Sequence, residues 1–237
     1  MDNLVSHDFG TKELSAKNAF VVGGSGGIGA FIAKALSAHF AVTTHGRKKA
    51  DIPYEFTEDS CGALVASPVY AHAQKADVLC ICYGPFLQAS VEATAPAQWQ
   101  SLVFWNLTMP GILTSAALPH MRQCGFGRIL LFGGTGTDSI GGFRTNAAYA
   151  AAKTGLCSLV KSVALEYAQY GITANAILPG FVRTEYTDSA TQKTLEQKMP
   201  QKKLITPEEI AKSALHLILS PEINGALLTI DAGWHRA

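Results

Sequence analysis

Charge is scarce in this chain of 237 residues: only 16% are Asp, Glu, Lys or Arg, and 19 basic side chains face 18 acidic ones. The formal net charge of +1 offers none of the basic field that a nucleic-acid surface requires. No run of one sign exceeds Arg47-Lys48-Lys49. No unbroken apolar stretch reaches the roughly 18 residues of a membrane span, and Met1 to Lys17 lacks the apolar heart of a signal peptide. The five cysteines, Cys61, Cys80, Cys82, Cys124 and Cys157, are odd in number and lack metal-ligand spacing. Reduced thiols, a cytoplasmic location and no metal are therefore expected. Neither a linker-like composition break nor an internal repeat appears, so residues 1–237 read as one domain. At 48% hydrophobic residues, the chain is far too apolar to be disordered.

What is present alternates in a regular way. Short β-like runs at Asn18–Val22, Ala41–Thr44, Ile52–Phe56, Asp77–Cys82, Arg128–Phe132, Ile172–Ile177 and Ala226–Ile230 are separated by longer segments. Several of these carry apolar residues at helical spacing, as in Ile28, Phe31, Ile32, Ala35, Leu36 and Phe40. Pro96–Met121, Tyr149–Tyr170 and Pro207–Leu219 read as further helices, the first with a kink or restart at Pro110. Strands that alternate with helices pair in parallel through right-handed crossovers. The expected architecture is α/β: a single Rossmann-type doubly wound parallel sheet with helices on both faces. Such sheets bind ligands beyond the carboxyl ends of their strands.

The first strand runs straight into Gly23-Gly24-Ser25-Gly26-Gly27-Ile28-Gly29 and then into a helix. Glycine allows the backbone to approach a phosphate closely, and the helix start supplies free N–H groups and a positive dipole end. A pyrophosphate is the natural guest. Later, Tyr149 and Lys153 stand four apart on a predicted helix and share one face. An ammonium beside a tyrosine stabilises the phenolate, so the pair is suited to acid–base work, with a lowered tyrosine pKa expected.

These motifs occur in the order found in the short-chain dehydrogenase/reductase family, which the chain resembles from about Asn18 to Gly233. The loop Gly23-x-x-x-Gly27-Ile28-Gly29 is similar to that family's T-G-x-x-x-G-I-G, with Val22 in place of threonine. Tyr149-Ala-Ala-Ala-Lys153 resembles its Y-x-x-x-K, and Asn106 its helix asparagine. Pro179-Gly180-Phe181-Val182-Arg183-Thr184 resembles its P-G-x-x-x-T segment beside the nicotinamide. The resemblance implies a nicotinamide cofactor held by Gly23, Ser25, Gly26, Gly27, Ile28, Gly29, Tyr83, Gly84, Pro179, Gly180, Val182 and Thr184, with Tyr149 and Lys153. It also implies proton donation by Tyr149, a ribose contact by Lys153 and a relay water on Asn106. No acidic residue ends the second strand, and Arg47 follows it with donors suited to a 2′-phosphate, so NADP(H) is expected over NAD(H).

Two departures stand out. The family's N-N-A-G is Ile81-Cys82-Tyr83-Gly84 here, without either amide. The serine that polarises the substrate carbonyl is missing: its place holds Gly134, in Phe132-Gly133-Gly134-Thr135-Gly136. Thr135 is the candidate replacement donor, with Ser139 the runner-up and Thr137 a further hydroxyl. The general likeness is to 3-oxoacyl-thioester reductases, while Glu185–Lys203, polar and poor in apolar residues, reads as a mobile substrate lid. A small carbonyl or alcohol substrate is expected, with neither nucleic acid nor membrane as partner. Apolar residues on more than one face of Pro96–Met121 and Tyr149–Tyr170 point to a homo-oligomer, a tetramer above others. The reading is a carbonyl reductase working in either direction. Its rivals are a nucleotide-binding protein with weak or no catalysis, and a lyase or dehalogenase on the same fold.

Overall fold

The computed structural model describes residues 14–234. Seven strands form one sheet: β1 (Asn18–Val22), β2 (Ala41–Gly46), β3 (Ile52–Pro53), β4 (Val78–Ile81), β5 (Gly127–Phe132), β6 (Ile172–Pro179) and β7 (Leu227–Ile230). Their order is β3-β2-β1-β4-β5-β6-β7, and every pairing is parallel. The order reverses between β1 and β4, where neighbouring strands send their connections to opposite faces and leave a crevice. Strands buried on both sides should read as continuous apolar runs, and β4 and β5 are buried at every position.

The helices are α1 (Gly27–Leu36), α2 (Cys61–Val65), α3 (Pro68–Ala73), α4 (Pro96–Val103), α5 (Met109–Cys124), α6 (Ala147–Tyr167), α7 (Ser189–Lys198) and α8 (Pro207–Leu219). One core lies between the sheet and α1 with α8, through Ile32, Leu36, Ile210 and Leu217. The other lies under α5 and α6, through Met109, Leu113, Leu156 and Val160. The expected sheet and its two helical layers are thus present.

The differences have local causes. Ile52–Phe56 pairs over only two residues, because Pro53 lacks the N–H that a longer ladder needs. Two short helices, α2 and α3, fill the β3–β4 connection, each started by a serine side chain that accepts a backbone N–H. Pro96–Cys124 is one continuous helical run, long and apolar enough by length and composition to cross a bilayer. Its apolar window is more than half buried inside the fold, as a core helix of a globular protein should be. The expected kink near Pro110 takes the form of a π-helical turn at Phe104–Thr108. The segment expected to be a mobile substrate lid contains α7, capped by Asp188, whose carboxylate accepts from the N–H groups of Ala190 and Thr191. Met199 after it is fully buried. Both ends of this excursion are clasped together, since Arg183 N–H donates to the Ile205 carbonyl and Ile205 N–H to that of Phe181.

Candidate active site

The glycine loop leaves β1 at the switch point and turns into α1. Gly23 has φ +78°, and a Cβ there would press at 3.2 Å on the backbone of Cys82 and Tyr83. At Gly29 a Cβ would strike the Gly23 carbonyl. The loop therefore folds tightly against the turn after β4 only because these residues lack side chains. Ser25 is exposed, with its hydroxyl turned to Gly46, and Ile28 packs partly into the α1 side of the core. His45 locks the loop: Gly23 N–H donates to its Nδ1 at 3.3 Å, while Nε2 lies 3.0 Å from the Tyr54 carbonyl. That pattern requires a neutral ring with the proton on Nε2, and burial lowers the His45 pKa in agreement. Sequence reasoning missed His45, whose only signal was its place at the end of β2.

Arg47 lies beyond β2, well exposed, with Glu55 at 4.0 Å. The carboxylate of nearby Asp51 accepts from both the N–H and the hydroxyl of Thr44 at 2.8 Å, which lowers its pKa. Tyr83 fills the place of a missing family amide with an aromatic cluster, its ring 5.5 Å from Phe56 and 5.7 Å from Trp105. The turn after β4 is tied to β1 by Cys82 N–H on the Val22 carbonyl at 2.8 Å.

Lys153 and Tyr149 project from the first turns of α6. Lys153 is 4% exposed, and its Nζ donates to the Phe132 carbonyl at 2.6 Å. Burial lowers its pKa to about 8. The neighbouring Cys82 thiol is pushed up to about 12 by burial, so it stays neutral beside the ammonium. Tyr149 lies with its ring centroid 5.7 Å from Nζ, and burial raises its pKa to about 12. The expected lowering by Lys153 is not realised in this geometry, because desolvation of the phenolate outweighs a cation engaged with a backbone carbonyl.

Gly134 faces the Tyr149 hydroxyl: a Cβ there would lie 3.3 Å from the oxygen. A side chain at this position would come within reach of the Tyr149 oxygen. Thr135, expected to supply a donor, instead gives its hydroxyl proton to the Pro179 carbonyl at 3.0 Å. The Thr137 hydroxyl is buried, accepting from Gly134 N–H at 3.1 Å and donating to the Gly134 carbonyl at 2.7 Å. Phe86, largely exposed, stands edge-on to Tyr149 with ring centroids 5.1 Å apart.

Asn106 sits within the π-helical turn, fully buried. Its Nδ2 donates to the carbonyls of Pro85 at 2.9 Å and Leu102 at 3.0 Å. Among the described residues its Oδ1 has no hydrogen-bond partner, and it is aimed at the surface of Gly84, where Lys153 Nζ also comes within 3.3 Å of a Cβ position. Gly180 is equally confined, by the backbone of Asp231. Pro179, Gly180, Val182 and Thr184 continue the wall from the end of β6, and Val182 bridges to Ile205. A dinucleotide fits these surroundings. The glycine cradle lies at a helix start, an unpartnered amide oxygen faces the crevice, and a buried ammonium stands beside a tyrosine.

At the opposite end of the sheet, the fold joins Asp77, His120 and Cys124 into one group of potential metal ligands. The i, i+4 spacing of His120 and Cys124 on α5 was the only sequence sign of it. Asp77 is 3.2 Å from His120 Nε2 and 3.8 Å from the Lys17 ammonium, so a fixed cation already balances that carboxylate.

The seven-stranded order and this constellation define a dinucleotide-binding oxidoreductase. Residues 24–235 match the family model described as Enoyl-(Acyl carrier protein) reductase, and the chain belongs to the short-chain dehydrogenase/reductase family. It is 32% identical to a D-beta-hydroxybutyrate dehydrogenase of Cupriavidus necator, over 93% of this chain and 98% of the relative. An acetoacetyl-CoA reductase of Rhizobium meliloti is also 32% identical, over 92% and 98%. A 3-oxoacyl-[acyl-carrier-protein] reductase of Rickettsia bellii is 29% identical, over 93% and 98%. Among solved structures, a short-chain dehydrogenase/reductase from Serratia marcescens superposes with a TM-score of 0.80 at 28% identity, over 94% of this chain and 99% of the other.

Proposed function

We propose that the protein is an NADP(H)-dependent reductase that converts a ketone to an alcohol, with a 3-oxoacyl thioester as the favoured substrate class. The observation that carries the reading is the pairing of buried Lys153 with Tyr149 at the rim of a glycine-lined cradle. The bound nicotinamide would supply the reducing hydride. Gly23, Gly26, Gly27 and Gly84 would let the backbone approach the dinucleotide, and Arg47 would face a 2′-phosphate. The Tyr149 hydroxyl, with a pKa of about 12, stays protonated across the neutral range and serves as proton donor to the developing alkoxide. Lys153, with a pKa of about 8, carries its charge at pH 7 and stabilises the tyrosinate left behind. Reduction should therefore exceed alcohol oxidation near neutrality, and should decline above pH 8 as the ammonium is lost.

The deciding assay follows NADPH and NADH oxidation with acetoacetyl-CoA, with D-3-hydroxybutyrate in the reverse direction. Faster turnover with NADPH than NADH is expected. Tyr149→Phe should lower turnover about 10²–10⁴-fold while dinucleotide affinity persists. A variant that retained a tenth of the activity would remove Tyr149 from the proton path. A second reading, a nucleotide-binding protein with weak catalysis, draws on the bare Gly134 opposite Tyr149. Dinucleotide affinity without turnover on either substrate would favour it.

A further inference from the structure

The start of α1 is served by a residue from far along the chain. Gly26, at the cap position, has no side chain to offer, and the first turn contains no acidic residue. A helix start in that condition has unsatisfied N–H groups and a partial positive charge. Glu185, 158 positions later, meets it: Gly27 N–H donates to Glu185 Oε1 at 2.8 Å. Tyr186 lies over the same two glycines. Its hydroxyl occupies the space of a Gly26 Cβ, and its ring edge would be 2.9 Å from a Gly27 Cβ. The free side of the cradle is thus covered by one carboxylate and one phenol.

Both residues belong to the segment that leads into α7, and that segment is internally braced. Gln192 Nε2 donates to the carbonyls of Thr184 at 3.2 Å and Thr187 at 2.8 Å, while Arg183 pairs with Glu196 at 2.7 Å. Glu185 and Tyr186 therefore move with α7 rather than as loose side chains. Their own exposure is high, Tyr186 being 71% accessible, so among the described residues little is packed above them to oppose withdrawal.

We propose that Glu185 and Tyr186 form a latch that competes with the dinucleotide pyrophosphate for the α1 N-terminus, so that lid closure and cofactor affinity are set by one exchange of anions. The proposal rests on the dinucleotide reading above and adds its regulation. A carboxylate oxygen and a phosphate oxygen accept the same N–H groups, and both cannot hold Gly27 at once. Binding of the cofactor ejects Glu185 and frees α7 to swing over the substrate. Without cofactor, the latch keeps α7 docked on the glycine loop and completes the α1 cap.

The test uses the full-length protein and Glu185→Gln, which keeps the side-chain shape and removes the charge, with Tyr186→Phe and the double variant beside it. Affinities are measured for NADPH by fluorescence and for inorganic pyrophosphate by calorimetry, and melting temperature is measured without ligand. A capping anion at an exposed helix start corresponds to a few-fold change in an equilibrium constant at low ionic strength. Glu185→Gln should therefore bind both ligands about two- to fivefold more tightly, melt lower without ligand, and lose its advantage at molar salt. Glu208→Gln, an exposed charge on α8, should change neither affinity. Unchanged or weaker NADPH and pyrophosphate binding in Glu185→Gln would overturn the latch, and a lower melting temperature alone would reduce Glu185 to a structural cap. Loss of NADPH and NADH binding in every form would instead defeat the dinucleotide reading, and the pyrophosphate arm would still decide the latch.

Discussion

Tyr149, Lys153 and Gly134 carry the sharpest consequences of single side chains. A serine hydroxyl introduced at Gly134 would stand beside the Tyr149 oxygen, and one missing donor to a developing oxyanion commonly costs about 10²–10³ in rate. Gly134→Ser should therefore raise reductase turnover at least tenfold. The Tyr149 ring edge, 3.2 Å from the added Cβ, must give by a few tenths of an ångström. Thr135→Val is the companion variant: with its proton held by Pro179, the Thr135 hydroxyl should prove nearly dispensable, which steady-state kinetics would read directly. Lys153 has a stability consequence as well. Its pKa is depressed from 10.5 to about 8 by burial, so the unfolded chain binds more protons between those values and stability rises with pH across that window. Below pH 8 the buried charge carries its full penalty, about 3 kcal/mol, against which loss of the Phe132 hydrogen bond costs about 1 kcal/mol. Lys153→Met should therefore be more stable than the parent at pH 7, by roughly 1–3 kcal/mol, with the gain fading by pH 10.5 in denaturant titrations. Such a gain, should it come with loss of activity, would mark a group strained for function.

At the scale of elements, the π-helical turn at Phe104–Thr108 places Asn106 and depends on it in return. Pro110 has no N–H to give to the preceding turn, so the regular ladder is interrupted there; π-helical turns inside helices are frequent at functional sites. The Asn106 amide then satisfies the Leu102 carbonyl and reaches across to Pro85 in the turn after β4. Asn106→Ala would leave buried carbonyls without partners. A loss of about 1–3 kcal/mol is expected, read as a lower denaturation midpoint at an unchanged slope. The long apolar run betrayed a helix and its proline betrayed an interruption, but neither revealed a wide turn. Period counting sees which residues share a face and not how many carbonyls a turn skips. The same blindness hid α7: Ser189–Lys198 buries none of its residues, so it has no apolar stripe, and its N-cap Asp188 was the one local sign.

For the whole molecule, the outward sides of α5 and α6 leave apolar surface uncovered by the described residues. Leu107, Gly111, Ile112 and Leu159 line an open groove, and Leu165 is 86% exposed. Apolar faces of this kind on long paired helices suit burial against a second copy. Light scattering at micromolar concentration should give about four times the 25.1 kDa chain mass, and Leu159→Glu should shift it to smaller species. A wild type that scattered as a monomer would leave those helices as a broad internal face with an apolar margin.

Sequence by itself determined the sheet, its parallel sense, the glycine cradle at its switch point and the pairing of Tyr149 with Lys153 on one helix face. Those features follow from period, from glycine placement and from the spacing of Tyr149 and Lys153, all of which are local along the chain. Tertiary structure alone decided which groups meet across it. Only the fold could join Glu185 to Gly27, turn the Thr135 hydroxyl onto Pro179, set His45 under the glycine loop and desolvate Tyr149 enough to raise its pKa. The reason is physical: desolvation and hydrogen-bond partnership depend on what surrounds a group in space, and no pattern of neighbours in sequence contains that.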